Sequence, residues 1–247
     1  MGSGFNKKKH KYFIVSDIHG YYDELLSSLE EKKFDPKNPK HILISLGDAI
    51  DRGPKNKEVI TFLNNLSHKI LIRGNHEDLF QDLINRNGIP LPNDISNKTI
   101  ETFLELHNLE IKDLDLIIEG KMTLPKINEE WIKYNKSCID YYETNQYIFV
   151  HGWIPINEDK SYNKNWRKSN KKDWDNARWI NGFEMSKNKI FCPGKTIVCG
   201  HVQSNFWHKE FENCEIDNFE PYISDNVIAI DACTQISHFV NVVVLED

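Results

Sequence analysis

Several large classes of protein are closed to this chain by what it lacks. Its five cysteines, Cys138, Cys192, Cys199, Cys214 and Cys233, are odd in number and include no Cys-x-x-Cys pair. That leaves no basis for a disulfide framework or a zinc ribbon, and it suits reduced thiols in a cytoplasmic protein. No stretch stays apolar for long enough to span a bilayer. Met1-Gly2-Ser3-Gly4 lacks the apolar core of a signal peptide and reads as an appended leader. The formal net charge is −6, so no global positive field draws in nucleic acid or an anionic membrane. The basic run Lys7-Lys8-Lys9-His10-Lys11 precedes the first strand and is expected to be solvated. With no internal repeat and no flexible linker, residues 11–247 are read as one domain behind a leader of residues 1–10.

What is present suits a globular domain with a sizeable core: 39% of residues are hydrophobic and 28% charged. The apolar run Ile42-Leu43-Ile44-Ser45-Leu46-Gly47 reads as a buried strand that delivers Asp48, Asp51 and Arg52 into one short loop. Open α/β sheets put their ligands at such carboxyl ends. Two more strands end alike, in Ser16-Asp17-Ile18-His19-Gly20 and in Arg73-Gly74-Asn75-His76-Glu77. Helical periodicity over residues 21–29 and 54–66 separates them, so parallel strands joined by helical crossovers are expected. From residue 85 to 145 the pattern predicts a loop over 88–93 and helices over 98–106 and 128–142, packed as a cap beside the site. Further strands end in His151-Gly152, Gly200-His201 and Asp231, and residues 239–245 close the sheet.

Six candidate ligands therefore lie at or just after strand ends: Asp17, His19, Asp48, Asn75, His151 and His201. Oxygen and nitrogen donors without thiolate suit Mn, with Fe or Zn as alternatives, better than Ca. A carboxylate such as Asp48 can bridge two metal ions, and paired ions clamp the attacking and leaving oxygens of an in-line displacement.

In order, Asp17-Ile18-His19-Gly20, Gly47-Asp48-Ala49-Ile50-Asp51-Arg52-Gly53, Arg73-Gly74-Asn75-His76-Glu77, His151-Gly152 and Gly200-His201 resemble the signature of the phosphoprotein phosphatase family of metallophosphoesterases. The resemblance implies a calcineurin-like four-layer α/β/β/α sandwich with two mixed sheets. It places Asp17 and His19 on a first metal, Asp48 between the two, and Asn75, His151 and His201 on the second. It makes His76 the general acid, Asp51 the holder of its ring, and Arg52 a phosphate ligand. A second phosphate arginine is expected between the last two histidines, and Arg178 is preferred to Arg167 because Trp174 shortly precedes it. The implied activity is hydrolysis of a phosphorylated protein or small phosphate ester by metal-bound hydroxide, as in bacterial serine/threonine phosphatases. No nucleic-acid or membrane partner is expected, and the oligomeric state is left open.

Two departures bear on that resemblance. Gln203 stands where broader metallophosphoesterases carry another histidine, and Ile228-Ala229-Ile230-Asp231-Ala232-Cys233 looks like the bacterial branch, which includes diadenosine tetraphosphate hydrolases. A dinucleoside polyphosphate hydrolase is therefore the first alternative, although those relatives have a small residue where Asp51 stands. A non-catalytic binding module is the alternative of another class, and it is disfavoured because no ligand is missing. Trp166, Trp174, Trp179 and Trp207 could line a substrate groove or pack a loop-rich lobe. His41, His68, His107, His208 and His238 read as surface or loop residues, Glu77 as a helix cap, and Asp231 as either a site residue or a turn cap.

Overall fold

Strands with apolar residues on both sides must be covered on both faces. In the computed structural model, which describes residues 10–246, such strands form two five-stranded sheets. The first contains β1 (Lys11–Val15), β2 (His41–Ser45), β3 (Lys69–Ile72) and β4 (Cys138–Ile139), each parallel to the next. The second contains β5 (Tyr142–Glu143), β6 (Tyr147–Phe149), β7 (Thr196–Gln203), β8 (Tyr222–Ile223) and β9 (Val227–Asp231). There β6, β7 and β9 are parallel, and β5 and β8 flank them antiparallel. Strand β10 (Val243–Glu246) returns to the first sheet, antiparallel to β1 at its edge. The leader expected over residues 1–9 lies outside the described residues.

The two-residue period of β1 shows how the layers stack. Tyr12 and Ile14 face the second sheet and meet Phe149, Val198, Ile228 and Ile230. Phe13 and Val15 face the opposite way, into a core shared with α1 (Tyr22–Glu31), α2 (Asn56–Asn65) and α3 (Asn75–Asn85). Helices α4 (Pro92–Ser96), α5 (Thr99–His107), α6 (Ile111–Ile118) and α7 (Glu129–Ser137) follow. On the far side, α8 (Lys171–Ala177), α9 (Gly182–Lys187) and α10 (Asn205–Phe211) cover the second sheet through Trp174, Met185 and Trp207. A single turn, α11 (Thr234–Ser237), follows β9. The order helix, sheet, sheet, helix is the expected four-layer sandwich.

Three local expectations are corrected. The helix expected over 128–142 stops at Ser137, because Cys138 and Ile139 pair with β3 and the Ile139 carbonyl accepts Arg73 N–H at 2.9 Å. Pro92 starts α4 inside the expected loop, where the Asp94 carboxylate accepts Leu91 N–H at 2.6 Å. Helix α6 was hidden by the alternating Asp113-Leu114-Asp115-Leu116, a period-two pattern. Phe103, Leu106, Leu114, Trp131 and Tyr134 enter the first core, so α5, α6 and α7 extend the helical layer, and α5 lies against the loop of Asp51.

Candidate metal centre

The carboxyl ends of β1, β2, β3, β6 and β7 converge where the two sheets meet. Backbone bonds hold the turns together: Asp17 N–H donates to Gly47 O, His19 N–H to Asp48 O, and Gly200 N–H to His151 O. A bond from His201 N–H to Asp17 Oδ2 at 3.0 Å joins one sheet to the other. Asp17, His19, Asp48, Asp51, Arg52 and His201 all have φ between 49° and 75°. Non-glycine residues in that left-handed region cost of order 1–3 kcal/mol each, and they cluster at functional sites. Glycine is required where the turns touch. A Cβ on Gly74 would lie 2.1 Å from Asp48 Oδ1, and one on Gly200 would lie 2.2 Å from Asp17 Oδ2.

All six candidate ligands meet here. Asp48 belongs to two groups, His19–Asp48–His76 and Asp48–His151–His201, with ligand atoms within 4.8 Å of one another in each. His19 Nε2 lies 3.8 Å from Asp48 Oδ2 and 4.0 Å from Asp17 Oδ1. Asn75 Oδ1 is 2.8 Å from His151 Nε2, which is 3.3 Å from Asp48 Oδ1. His19 and His151 turn Nδ1 to the carbonyls of Ile50 and Leu46, each at 2.9 Å, leaving Nε2 for the centre. Ser16 Oγ donates to Asp17 Oδ2 at 2.5 Å.

The electrostatics are those of a cavity that seeks cations. Burial alone would lower His151, but the charge and hydrogen bond of Asp48 push it up to about 9. Burial and the neighbouring His151 push His201 down to about 4, which keeps that imidazole neutral. Burial, followed by His76 and Arg52, also holds His19 well below its usual range. Buried carboxylates are costly unless paired or bound to metal, and Asp17 and Asp48 are each 2% exposed. Buried carboxylates beside two neutral imidazoles fit a pair of divalent ions, and His151 would join them as a ligand by giving up its proton. Among the described residues no cysteine joins either group.

His76 is buried within this cluster, its ring 4.6 Å from that of His19. Its Nδ1 is 2.7 Å from Asp51 Oδ2, and its Nε2 lies 3.3 Å from the Arg52 guanidinium. Burial would depress His76, yet the charge of Asp48 and the bond to Asp51 hold it above its usual range. Glu77 does more than cap a helix. Its carboxylate accepts Gly74 N–H (2.7 Å), Asp48 N–H (3.0 Å), Ala49 N–H (2.9 Å) and the Tyr134 hydroxyl (3.2 Å). Two residues missed by sequence reasoning, Thr99 and Thr102, donate to Asp51. The available signal was a pair of Thr three apart on a predicted helix, whose hydroxyls need partners if buried. Asp231 caps the turn after β9, where it accepts Cys233 N–H at 2.7 Å, and burial together with Asp17 pushes it well up.

Other expectations are redirected. Arg178, preferred as the second phosphate arginine, is held by Asp78 (2.7 Å), Asp175 (2.7 Å) and Asp140 (2.6 Å). It lines a polar cavity of about 700 Å³ with Arg73, Asp78, Asp140, Asp175 and Trp179. Arg167 pairs with Glu143 and lies over the Trp166 ring at 4.2 Å. Trp166, Trp174 and Trp207 are buried in the second core, with Trp174 stacked on Tyr141 at 4.9 Å. Trp179 is different: it is 49% exposed, and its ring lies 6.2 Å from that of His201. His107 and His208 are buried rather than exposed, bonded to Phe103 O and to Glu212.

The chain is similar to known proteins. A family model described as calcineurin-like phosphoesterase matches residues 10–205. Serine/threonine-protein phosphatase 1 of Salmonella typhimurium is 40% identical over 70 residues, covering 28% of this chain and 31% of that protein. An asymmetrical bis(5'-nucleosyl)-tetraphosphatase of Bacillus subtilis is 26% identical over 164 residues, covering 62% of each. The chain thus spans less than two thirds of the length of these curated relatives. The solved structure of a cold-active protein-tyrosine phosphatase from a psychrophilic Shewanella superposes with a TM-score of 0.56. That likeness covers 96% of this chain and 76% of the other at 19% identity, and it is one of fold.

Proposed function

We propose that this chain, which belongs to the calcineurin-like phosphoesterase family, is a phosphoric monoester hydrolase that prefers alkoxide leaving groups, phosphoserine and phosphothreonine foremost. The observation that carries the reading is the buried pair Asp51–His76 at 2.7 Å, set beside the candidate metal ligands. A serine alkoxide is a poor leaving group and needs a proton as it departs, whereas a nucleotide leaves as a stabilised anion and gains less from an acid.

Asp17 and His19 would hold one ion, Asn75, His151 and His201 the other, and Asp48 both. Mn is the first choice, with Fe or Zn as alternatives, because the donors are oxygen and nitrogen. When bound, divalent ions supply Lewis-acid polarisation of the phosphoryl group and make water acidic enough to serve as a nucleophile near neutral pH. The chain's own groups do the rest. Arg52, 3.3 Å from His76 Nε2, pairs with the phosphoryl oxygens in the fork geometry that suits a guanidinium. His76 releases the Nε2 proton to the departing oxygen, while Asp51 keeps Nδ1–H in place. Arg178 would join the phosphate only by leaving its three carboxylates, so Arg52 is assigned the role alone.

One observation favours a second reading, hydrolysis of a dinucleoside polyphosphate: the exposed Trp179 ring beside His201. Stacking of a base on such a ring is worth about 1–3 kcal/mol. The test is kcat/KM of the Mn-loaded protein on phosphoserine peptides and on diadenosine tetraphosphate, for wild type and Trp179→Ala. The proposal expects the peptides to be favoured in both proteins. A dinucleotide preference that Trp179→Ala abolishes would overturn it in favour of the second reading.

A further inference from the structure

One face of α5 carries Thr99, Thr102 and Glu105 at positions i, i+3 and i+6; the two threonines reach the loop between β2 and α2, and Glu105 reaches the first turn of α2. Thr99 and Thr102 are both 0% exposed. β-branched Thr is a mediocre helix former, and a buried hydroxyl is costly unless bonded. Here each hydroxyl finds a different oxygen of one carboxylate. Thr99 Oγ1 donates to Asp51 Oδ2 at 2.8 Å, and Thr102 Oγ1 donates to Asp51 Oδ1 at 2.7 Å. Oδ2 is also the atom that receives His76 Nδ1.

The same helix holds the backbone of that loop. Asp51 N–H donates to Asn56 Oδ1 at 2.8 Å, and Asn56 Nδ2 donates to Glu105 Oε2 at 2.7 Å. Glu105 also accepts the N–H groups of Asn56 and Lys57, the first turn of α2, which Lys55 leaves without a side-chain cap. Asp51 is thus gripped at both carboxylate oxygens and, through Asn56, at its amide, all from one helix.

We propose that Thr99 and Thr102 are positioning residues for the acid step, and that α5 is the element that sets the angle of the His76 ring against the leaving group. The inference rests on the reading of His76 as general acid. The terminal torsion of Asp is broad and two-fold, so a carboxylate bonded to His76 alone could swing its plane and take the imidazole with it. Two hydroxyls on opposite oxygens remove that freedom. Being neutral, they leave the carboxylate its charge, which a protonated His76 needs beside it.

The test compares wild type, Thr99→Val/Thr102→Val, Thr99→Ser/Thr102→Ser and His76→Asn on an aryl phosphate and on a phosphoserine peptide. The readouts are kcat, KM, metal content and the imidazole N–H proton resonance of the metal-free protein. The Val pair should lose about 10–100-fold in kcat on the peptide, a usual cost for groups that orient an active residue. On the aryl ester it should lose little, with KM and metal content near wild type. The downfield Nδ1–H signal, assigned by its absence in His76→Asn, should shift or broaden, and the Ser pair should restore both readouts. If the Val pair does not fold, Thr102→Val alone makes the same comparison. Equal losses on both esters, or an unmoved resonance, would overturn the proposal while a leaving-group-selective loss in His76→Asn keeps the acid reading intact. If His76→Asn is itself unselective, the acid reading fails and the positioning role fails with it.

Discussion

Replacing Glu77 by Gln changes one atom and should damage both the fold and the metal affinity. The Glu77 side chain is 0% exposed and receives four donors, two on each oxygen: Gly74 N–H and Asp48 N–H on Oε2, Ala49 N–H and the Tyr134 hydroxyl on Oε1. A Gln NH₂ turned towards Gly74 and Asp48 would leave two amides unpaired. Turned the other way it meets Ala49 N–H and the Tyr134 hydroxyl, and since the hydroxyl can swing round to accept, one buried amide loses its acceptor. A buried donor left unpaired costs about 1–3 kcal/mol, so Glu77→Gln should cost about that much. That is a large part of the roughly 5–15 kcal/mol that holds a domain together. The released amide is that of Ala49, next to Asp48, the carboxylate shared by both ligand groups, so metal affinity should fall about 10–100-fold. Urea denaturation of the metal-free protein measures the first effect, and calorimetric metal titration of the folded variant measures the second. A variant with the wild-type midpoint would refute the hydrogen-bond argument, and lost stability with unchanged affinity would refute the link to Asp48.

Further outcomes follow from single contacts. Asp48→Asn should remove metal and activity together, as chelation should in wild type; full activity of metal-free protein would contradict the centre described here. Trp174→Ala, which empties a site 5% exposed and stacked on Tyr141, should cost about 3–5 kcal/mol and lower Tm without altering leaving-group dependence. The bonds from Arg167 and Lys195 hold Glu143 down at about 2, against an ordinary 4.5. Because the folded value is the lower one, this stabilisation is complete above pH 4.5 and is lost as pH falls towards 2. The full linkage of about 3 kcal/mol shrinks to about 1 kcal/mol once solvent screening of an exposed arginine is allowed for. Glu143→Gln should therefore flatten Tm against pH in that window while leaving Tm at or below pH 2 nearly unchanged.

Residues that had to sit at strand ends were readable from the sequence. Asp17, His19, Asp48, Asn75, His151 and His201 each follow an apolar strand run, and local pattern is enough to find such a run. What was not readable depends on distant partners. The pairing of Thr99 and Thr102 with Asp51 joins residues about fifty apart, and no periodicity encodes it. The partners of Arg167 and Arg178, Glu143 for the first and Asp78 and Asp140 for the second, lie far off in sequence, and a nearby tryptophan says nothing of them. Trp174 and Trp179 look alike in sequence, yet one packs under Tyr141 and the other stands open beside His201. The helix expected over 128–142 failed for a related reason: β3 supplied a partner for Cys138 and Ile139.

The bond from His201 to Asp17 closes a loop of 184 residues, and that distance along the chain has a kinetic meaning. The donors come from five strand ends in two sheets, so the centre cannot assemble until nearly the whole chain has folded. Contacts of such long range form late, after their closure entropy has been met. Interactions absent from the folding transition state slow unfolding and leave the folding rate almost unchanged. Divalent ions should therefore act on the lifetime of the native protein: refolding with or without them should proceed at similar rates, while unfolding in denaturant should slow as their concentration rises.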